Sequence, residues 1–266
     1  ERACVSMITH AKARQDCLTV AERLHKEVDS ISALITPTII DQEWLYRLRD
    51  AGVDKVGIAI DAATSELFDK LRGSDIGGPH RWEKYWQTIE EAVDVFDEYN
   101  VGVHLIVGLG ETEEQMVSAI QRAYKLGALT HLFSFFPEKG SFMEDHVQPP
   151  IGQYRRVQLA RYLINKGLAT ADAMSFDAEG RITRFKVDER ILSDVIEDGR
   201  PFMTSGCASK DRENACNRPF SDYTPYQALI GEMRNYPFTP TKDDVMLIKR
   251  HLQDYSRASV KVWVEE

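Results

Sequence analysis

The chain contains no run of about 18 apolar residues, so no segment reads as a membrane-spanning helix. No secretory signal pattern is present either. Basic residues are not in excess: 42 Asp and Glu stand against 33 Lys and Arg, a formal net charge of −9. That balance argues against an extended nucleic-acid footprint. Cysteine is scarce, with Cys4, Cys17, Cys207 and Cys216 the only four. In a reducing cytosol such cysteines are more often core residues, metal ligands or redox groups than disulfides, and a cytoplasmic protein is expected. No Ser/His/Asp arrangement stands out. There is no internal repeat or low-complexity tract. Residue 1 is Glu, and Arg2 to Ile8 already read as a strand; the expectation is that further residues precede Glu1.

What is present is an alternation of strand and helix, with 43% apolar residues in 266, enough chain for a large core. Strands are expected at 4–9, 31–36, 56–60, 101–107 and 130–136. Helices are expected at 16–28, 41–51, 64–71, 81–99, 112–126 and 153–166, with Asp41 and Thr64 as N-caps and Gly52 as a stop. Repeated βα units imply a parallel sheet with right-handed crossovers. Periodicity alone does not separate an open sheet from a barrel. Residues 182–187 read as one more strand and 188–198 as one more helix. The segment 202–222 is polar and carries cysteines, and 242–256 reads as a terminal helix.

Four places carry residues suited to chemistry. In Ile106-Val107-Gly108-Leu109-Gly110-Glu111-Thr112, a buried strand runs into two glycines and an acidic turn. The C-terminal ends of parallel strands form the active face. There the glycines either admit a ligand to the backbone or only make a tight turn. No Gly-Lys-Ser/Thr follows, so this is not a Walker A loop. Asp61 directly follows a buried strand; its carboxylate either accepts ribose hydroxyls or serves the dipole of the next helix. Ser134 opens the long loop that follows the 130–136 strand. Cys207 and Cys216 sit in one polar loop, suited to an iron–sulfur cluster, or unrelated. Of the histidines, His104 lies inside a buried strand, facing a lumen or satisfied in the core, and His10 lies just past the first strand. Trp82, Tyr85 and Trp86 read as packing residues.

The order of these motifs resembles a known family. The stretch SISALITPTIIDQEWLYRLRDAGVDKVGIAIDAATSELFDKL and the later HRWEKYWQTIEEAVDVFDEYNVGVHLIVGLGETEEQ are similar to the biotin synthase branch of radical S-adenosylmethionine (SAM) enzymes. The resemblance covers roughly residues 4–140. It implies an α/β fold, a partial or full TIM-like (β/α) barrel, which binds SAM against a [4Fe–4S] cluster and uses a 5′-deoxyadenosyl radical to remove hydrogen from carbon. Carried onto this chain, Asp61 binds the SAM ribose, Ile106 packs on the adenine, and Gly108, Gly110 and Glu111 shape that side of the pocket. Thr36 and Thr38 line the SAM or substrate side. His10, His104 and Ser134 are substrate-facing candidates.

Two departures stand out. The family's CxxxCxxC cluster loop is absent from these 266 residues and is expected in a segment before Glu1. Cys4 matches one of the strand cysteines of biotin synthases, but Ala33 and Gly102 stand where others fall, so biotin formation is not expected. MTSGC…CNRPF, with HLFSFFPEKGS and PIGQYRRVQLARYLI, resembles the two-component lipoyl synthases. That likeness implies sulfur insertion into an octanoyl chain on a lipoyl carrier protein or octanoyl-lysine peptide, with a second radical SAM subunit as partner. It implies an auxiliary [4Fe–4S] cluster held by Cys207 and Cys216, with Cys4 as a further ligand. The alternatives are another radical SAM reaction, such as a mutase or C–C lyase, and a non-catalytic partner subunit. The barrel is expected over 1–200, with an irregular cysteine-bearing extension over 201–266.

Overall fold

The computed structural model describes residues 2–207, 216 and 222–256. Its first half runs β1 (Arg2–Ser6), α1 (Ala13–Leu24), β2 (Ser30–Ile35), α2 (Gln42–Asp50), β3 (Lys55–Asp61), α3 (Ser65–Leu71), α4 (Trp82–Phe96), β4 (Val101–Val107), α5 (Glu113–Lys125) and β5 (Leu129–Ser134). These five strands form one sheet in the order β1-β2-β3-β4-β5, and the β1–β2, β2–β3 and β3–β4 pairs are parallel. Strand order equals chain order. Right-handed crossovers then send every connecting helix to the same face. This is the arrangement of a (β/α) barrel; a doubly wound sheet reverses its order.

Short-range chemistry sets the element ends. Asp41 accepts the Trp44 N–H at 2.8 Å, and Thr64 accepts that of Leu67 at 3.2 Å. Each satisfies one of the orphan donors at a helix start. Gly52, at φ +97°, follows α2 in a conformation that side chains resist. The helix expected to reach Tyr99 stops at Phe96. Asp97 and Tyr99 both turn to φ +67°, and the Asn100 side-chain amide donates to the freed Phe96 carbonyl at 2.9 Å. β4 is buried everywhere except His104 and Ile106, which are half-buried. β5 alternates, with Thr130, Leu132 and Ser134 buried and Leu129, His131 and Phe133 half-buried.

The second half contains α6 (Ile151–Asn165), β6 (Ser175–Phe176), β7 (Ile182–Arg184), α7 (Glu189–Asp198), α8 (Pro225–Leu229) and α9 (Lys242–Leu252). The strand expected at 182–187 is shorter and is not a further parallel strand. It pairs antiparallel with β6 in a separate two-stranded sheet. The cause is a tight turn: Asp177 accepts from the Glu179 and Arg181 N–H groups, and Gly180 sits at φ +71°.

The chain divides into two compact units that interleave in sequence. One comprises Glu1–Leu105, Arg122–His131 and Gly206–Cys216; the other comprises Ile106–Gln121, Leu132–Ser205 and Asn217–Glu266. The first unit has a core of Ile31, Ala33, Trp44, Leu48, Val56, Ile58, Phe68 and Ile89, all buried. The second is built on α6, buried on almost every side. Leu159 and Leu163 pack there with Phe202, Tyr236 and Ile248. Among the described residues, no helix is long and apolar enough to cross a membrane.

Candidate functional site

Asp61 ends β3. Its backbone takes φ +63°, unusual for a residue with a side chain and frequent where function holds it. The Arg72 guanidinium bonds Asp61 Oδ2, and the same Nη1 donates to the Ala59 carbonyl at 2.6 Å. Arg72 uses Oδ2, and no described residue is bonded to Oδ1. The Asp61 side chain keeps 29% of its exposure. Burial pushes the carboxyl above its ordinary range, and the Arg72 charge opposes that shift. Arg72 continues to the Tyr85 hydroxyl at 3.1 Å, and Tyr85 to His80 Nδ1 at 3.0 Å. Thr38 Oγ1 lies 2.6 Å from the same Nδ1. Thus two residues singled out from the sequence, Asp61 and Thr38, are the ends of one bonded chain. The three between them were missed. Tyr85 was read as packing, and it does pack edge-on against Phe68, but its hydroxyl is also a link. Thr36 is buried and begins the short turn Pro37–Ile39.

The glycine turn belongs to the other unit. Gly108 and Gly110 adopt φ +103° and +119°, which only glycine takes without strain. Glu111 folds back and accepts the Gly108 and Leu109 N–H groups at 2.7 and 2.9 Å. A Cβ on Gly108 would lie 2.5 Å from the Pro149 ring. The space a Gly108 side chain would take is therefore filled by Pro149, and Glu111 builds the turn. Behind it, Thr112 and Gln115 cap α5 reciprocally. His146 Nε2 bonds the Gly108 carbonyl oxygen at 2.9 Å, which with neutral carbonyl oxygen as acceptor makes Nε2 the protonated nitrogen. A cavity of about 350 Å³ borders this turn, lined by Gly110, Glu111, His146, Arg156 and Tyr255 among others.

Burial pushes the Glu111 carboxyl up to about 7, against the lowering effect of the backbone N–H groups. A carboxyl raised on folding contributes stability that is complete below its unfolded value of 4.5 and is lost as pH rises through about 7. The loss is of the order of 3 kcal/mol. Urea unfolding at several pH values is expected to show Glu111→Gln with a flatter profile than wild type between pH 5 and 8. Parallel profiles would remove Glu111 as the source.

Ile106 is half-buried on β4. His104 sits edge-on to His131, ring centroids 5.7 Å apart, so the structure brings His104 together with a histidine the sequence reading did not select. Alternation of β5 was the available signal. Gly57 and Gly102 make room: a Cβ on either would lie 3.2 Å from His104 or 2.9 Å from His131. His10 is exposed in the loop after β1, with its Nδ1 accepting the Lys12 N–H at 3.2 Å. Ser134 is buried, because the alternation of β5 puts it with Thr130 and Leu132. Its N–H is held by Asp222 Oδ2 at 2.7 Å, and burial pushes the Asp222 carboxyl up to about 8. Cys4 is exposed, Cys207 and Cys216 are half-buried, and Cys17 is a core thiol pushed up to about 11 by burial. Among the described residues, no group of three or more His, Cys, Asp or Glu side chains is placed to hold a metal ion. Cys4, Cys207 and Cys216 do not form such a group of three among the described residues.

Residues 8–123 match the model of the radical SAM superfamily, whose members use SAM and a [4Fe–4S] cluster. The chain is 34% identical over 79 residues to a GTP 3′,8-cyclase of Microcystis aeruginosa, covering 29% of this chain and 22% of that protein. It is 24% identical over 135 residues to a probable GTP 3′,8-cyclase of Methanococcus maripaludis, covering 50% and 43%. The chain thus spans less than half the length of these curated relatives. Among solved structures it is similar to the radical SAM methyltransferase TsrM of Kitasatospora setae, at 16% identity and a TM-score of 0.39, over 94% of this chain and 48% of that one.

Proposed function

We propose, from the radical SAM domain that this chain carries, that it is a subunit of an enzyme that abstracts hydrogen from carbon and inserts sulfur into a protein-bound octanoyl chain. The observation that carries the SAM half is Asp61: its Oδ2 is fixed by Arg72 and its Oδ1 is left to accept from a ligand at a strand end. When bound, SAM supplies the hydrogen-abstracting radical under reduction. The protein's part is to hold the adenosyl group. Asp61 accepts ribose hydroxyls, and Thr38 and Thr36 line the strand end. Gly108, Gly110 and Glu111 keep the β4–α5 turn in one shape.

The sulfur half rests on Cys207 and Cys216. They contribute thiolates to an auxiliary cluster whose other ligands lie outside the described set. Residues flanking them in sequence are tethered to β5, the last strand in the sheet order. Ser205 Oγ accepts the Leu132 N–H at 3.3 Å, and Asp222 accepts that of Ser134. Side chains that occupy edge N–H groups also block strand addition. The likeness to GTP 3′,8-cyclases supports the SAM half more than any substrate, because it covers 22% of the length of the Microcystis aeruginosa protein.

Anaerobic reconstitution of the full-length protein, with dithionite and SAM, is expected to give 5′-deoxyadenosine. None from a cluster-loaded protein would end the SAM half. Octanoyl-lysine peptide, alone and with a second subunit, is expected to gain sulfur, with about eight irons per chain. About four irons and an unmodified peptide would favour a mutase, a lyase or, if GTP is consumed, a cyclase. A protein that takes up no iron at all would favour a non-catalytic partner subunit.

A further inference from the structure

The second unit carries a groove of about 840 Å³, walled by β7, α7 and the end of α9. Its floor is apolar. Phe185, Val187, Leu192, Ile196 and Leu252 line it; they pack on the core of Leu159, Leu163 and Phe202 but are themselves only half-buried. α7 is the unusual wall. It has ten residues, and none of them is buried. A helix this short is held by burial of its apolar face more than by its own propensity. Leu192 and Ile196 stand one turn apart on that face, so the groove presents an apolar row that the chain covers only in part.

The rim is cationic. Arg184, Lys186 and Lys249 line the groove against one acid, Glu189, in a chain of net charge −9. Lys249 is bonded to Glu197. Arg184 and Lys186 are exposed, and among the described residues neither has an acidic partner. Lys186 also holds φ +55°, a left-handed backbone that costs energy for a residue with a side chain and is frequent at functional positions. Positive charge gathered on one face of a negative protein steers an acidic partner to that face and repels it elsewhere.

The form of the partner follows from what the groove offers. At Ile182 on β7 the outer backbone groups are taken: Glu113 Oε2 accepts the N–H at 2.8 Å, and the Tyr255 hydroxyl donates to the carbonyl oxygen at 2.7 Å. An added strand finds no free ladder there. Recognition then rests on side chains, and two helical walls with an i, i+4 apolar row suit a third helix laid between them.

We propose that this groove docks an acidic amphipathic helix of a partner protein, its apolar face on Leu192, Ile196 and Leu252 and its flanking carboxylates on Arg184 and Lys186. The proposal depends neither on the SAM residues nor on the reaction.

The probe is a labelled peptide of about 18 residues, long enough to hold a helix, with Leu at i, i+3, i+4 and i+7 and Glu on both flanks. Two controls replace Glu by Lys or scramble the order. Fluorescence anisotropy with the full chain is expected to give a Kd of about 10–100 µM for the acidic helix. The lysine and scrambled peptides should bind at least about 10-fold more weakly. Arg184→Glu with Lys186→Glu should weaken the acidic peptide by about 10-fold. Ser193 is exposed and lines the groove, so Ser193→Tyr puts a ring into it without changing charge and should weaken binding by as much. Thermal unfolding checks that each variant keeps its fold. Docking is overturned if the three peptides bind alike, or if neither variant changes binding. A chain that sediments as a dimer, and as a monomer with Ser193→Tyr, would assign the groove to a second copy instead. Deletion of residues 257–266 that raises peptide affinity by more than about 10-fold would assign it to that segment of the chain.

Discussion

Glu113→Ala is expected to lower stability by about 3–5 kcal/mol, measured by urea unfolding. Glu113 is the first residue of α5. Its side chain and that of Arg156 retain 2% and 3% of their exposure. Arg156 Nε donates to both carboxylate oxygens at 3.0 Å, and Nη2 donates to Oε1 at 2.6 Å. Oε2 also accepts the Ile182 N–H at 2.8 Å. Alanine removes all of these acceptors at once. It leaves a guanidinium in the interior with only the Asp254 carbonyl at 2.7 Å, the distant Leu252 carbonyl at 3.5 Å and the Tyr255 ring at 4.1 Å. The loss comes from the stranded charge more than from the pair itself. The double replacement Glu113→Leu, Arg156→Met should recover most of the stability, because it removes both charges and keeps the volume. A Glu113→Ala protein within about 1 kcal/mol of wild type would show that the pair is not the support it appears in the geometry.

That pair also illustrates where sequence reasoning stops. Glu113 and Glu114 are adjacent acids in the first turn of α5, and either suits the helix dipole. Nothing local separates the buried one from its exposed neighbour, because Arg156 is 43 positions away. By contrast, Asp41 and Thr64 were legible as caps, since the N–H groups they accept lie three positions on. β4 was legible over its full extent, since a strand buried on both faces reads as a continuous apolar run. α6 was found as a helix, yet its central place was hidden. Arg155, Arg156 and Gln158 are buried there; Arg155 and Gln158 bond partners such as Arg234 O and Asn235 Oδ1, more than 70 positions distant. A polar residue read in isolation suggests solvent; only the fold supplies the acceptor that lets it go inside.

The site shows the same division. Asp61 and Thr38 were found because each follows a strand. Arg72, Tyr85 and His80 were not, because a bonded chain of side chains is a property of convergence. His80 and Thr38 are 42 positions apart. The turn at Gly108 was found for its glycines, but their use was open between admitting a ligand and making a turn. Pro149, 41 positions on, occupies the space that a side chain on Gly108 would need, while Gly108 also lines the neighbouring cavity.

Gly108→Ala is accordingly expected to destabilise the protein by about 3–5 kcal/mol. Two effects combine. The backbone at φ +103° is strained for any residue with a Cβ, and that Cβ would lie 2.5 Å from two atoms of the Pro149 ring. Pro149 cannot easily give way, because its carbonyl accepts from the buried Arg234 guanidinium at 2.7 Å. Gly140 provides the control. It also has a positive φ, +83°, but an added Cβ would meet nothing within 4 Å. Gly140→Ala should therefore show backbone strain alone, about 1 kcal/mol. The difference between the two alanine variants in urea unfolding isolates the contact with Pro149. Pro149→Gly should relieve it, because an added Cβ at 108 would also meet Pro149 Cβ at 2.8 Å, so that alanine at 108 in that background approaches the Gly140→Ala value. Equal losses in the two single variants would mean that Pro149 moves freely and that the space beside Gly108 is open after all.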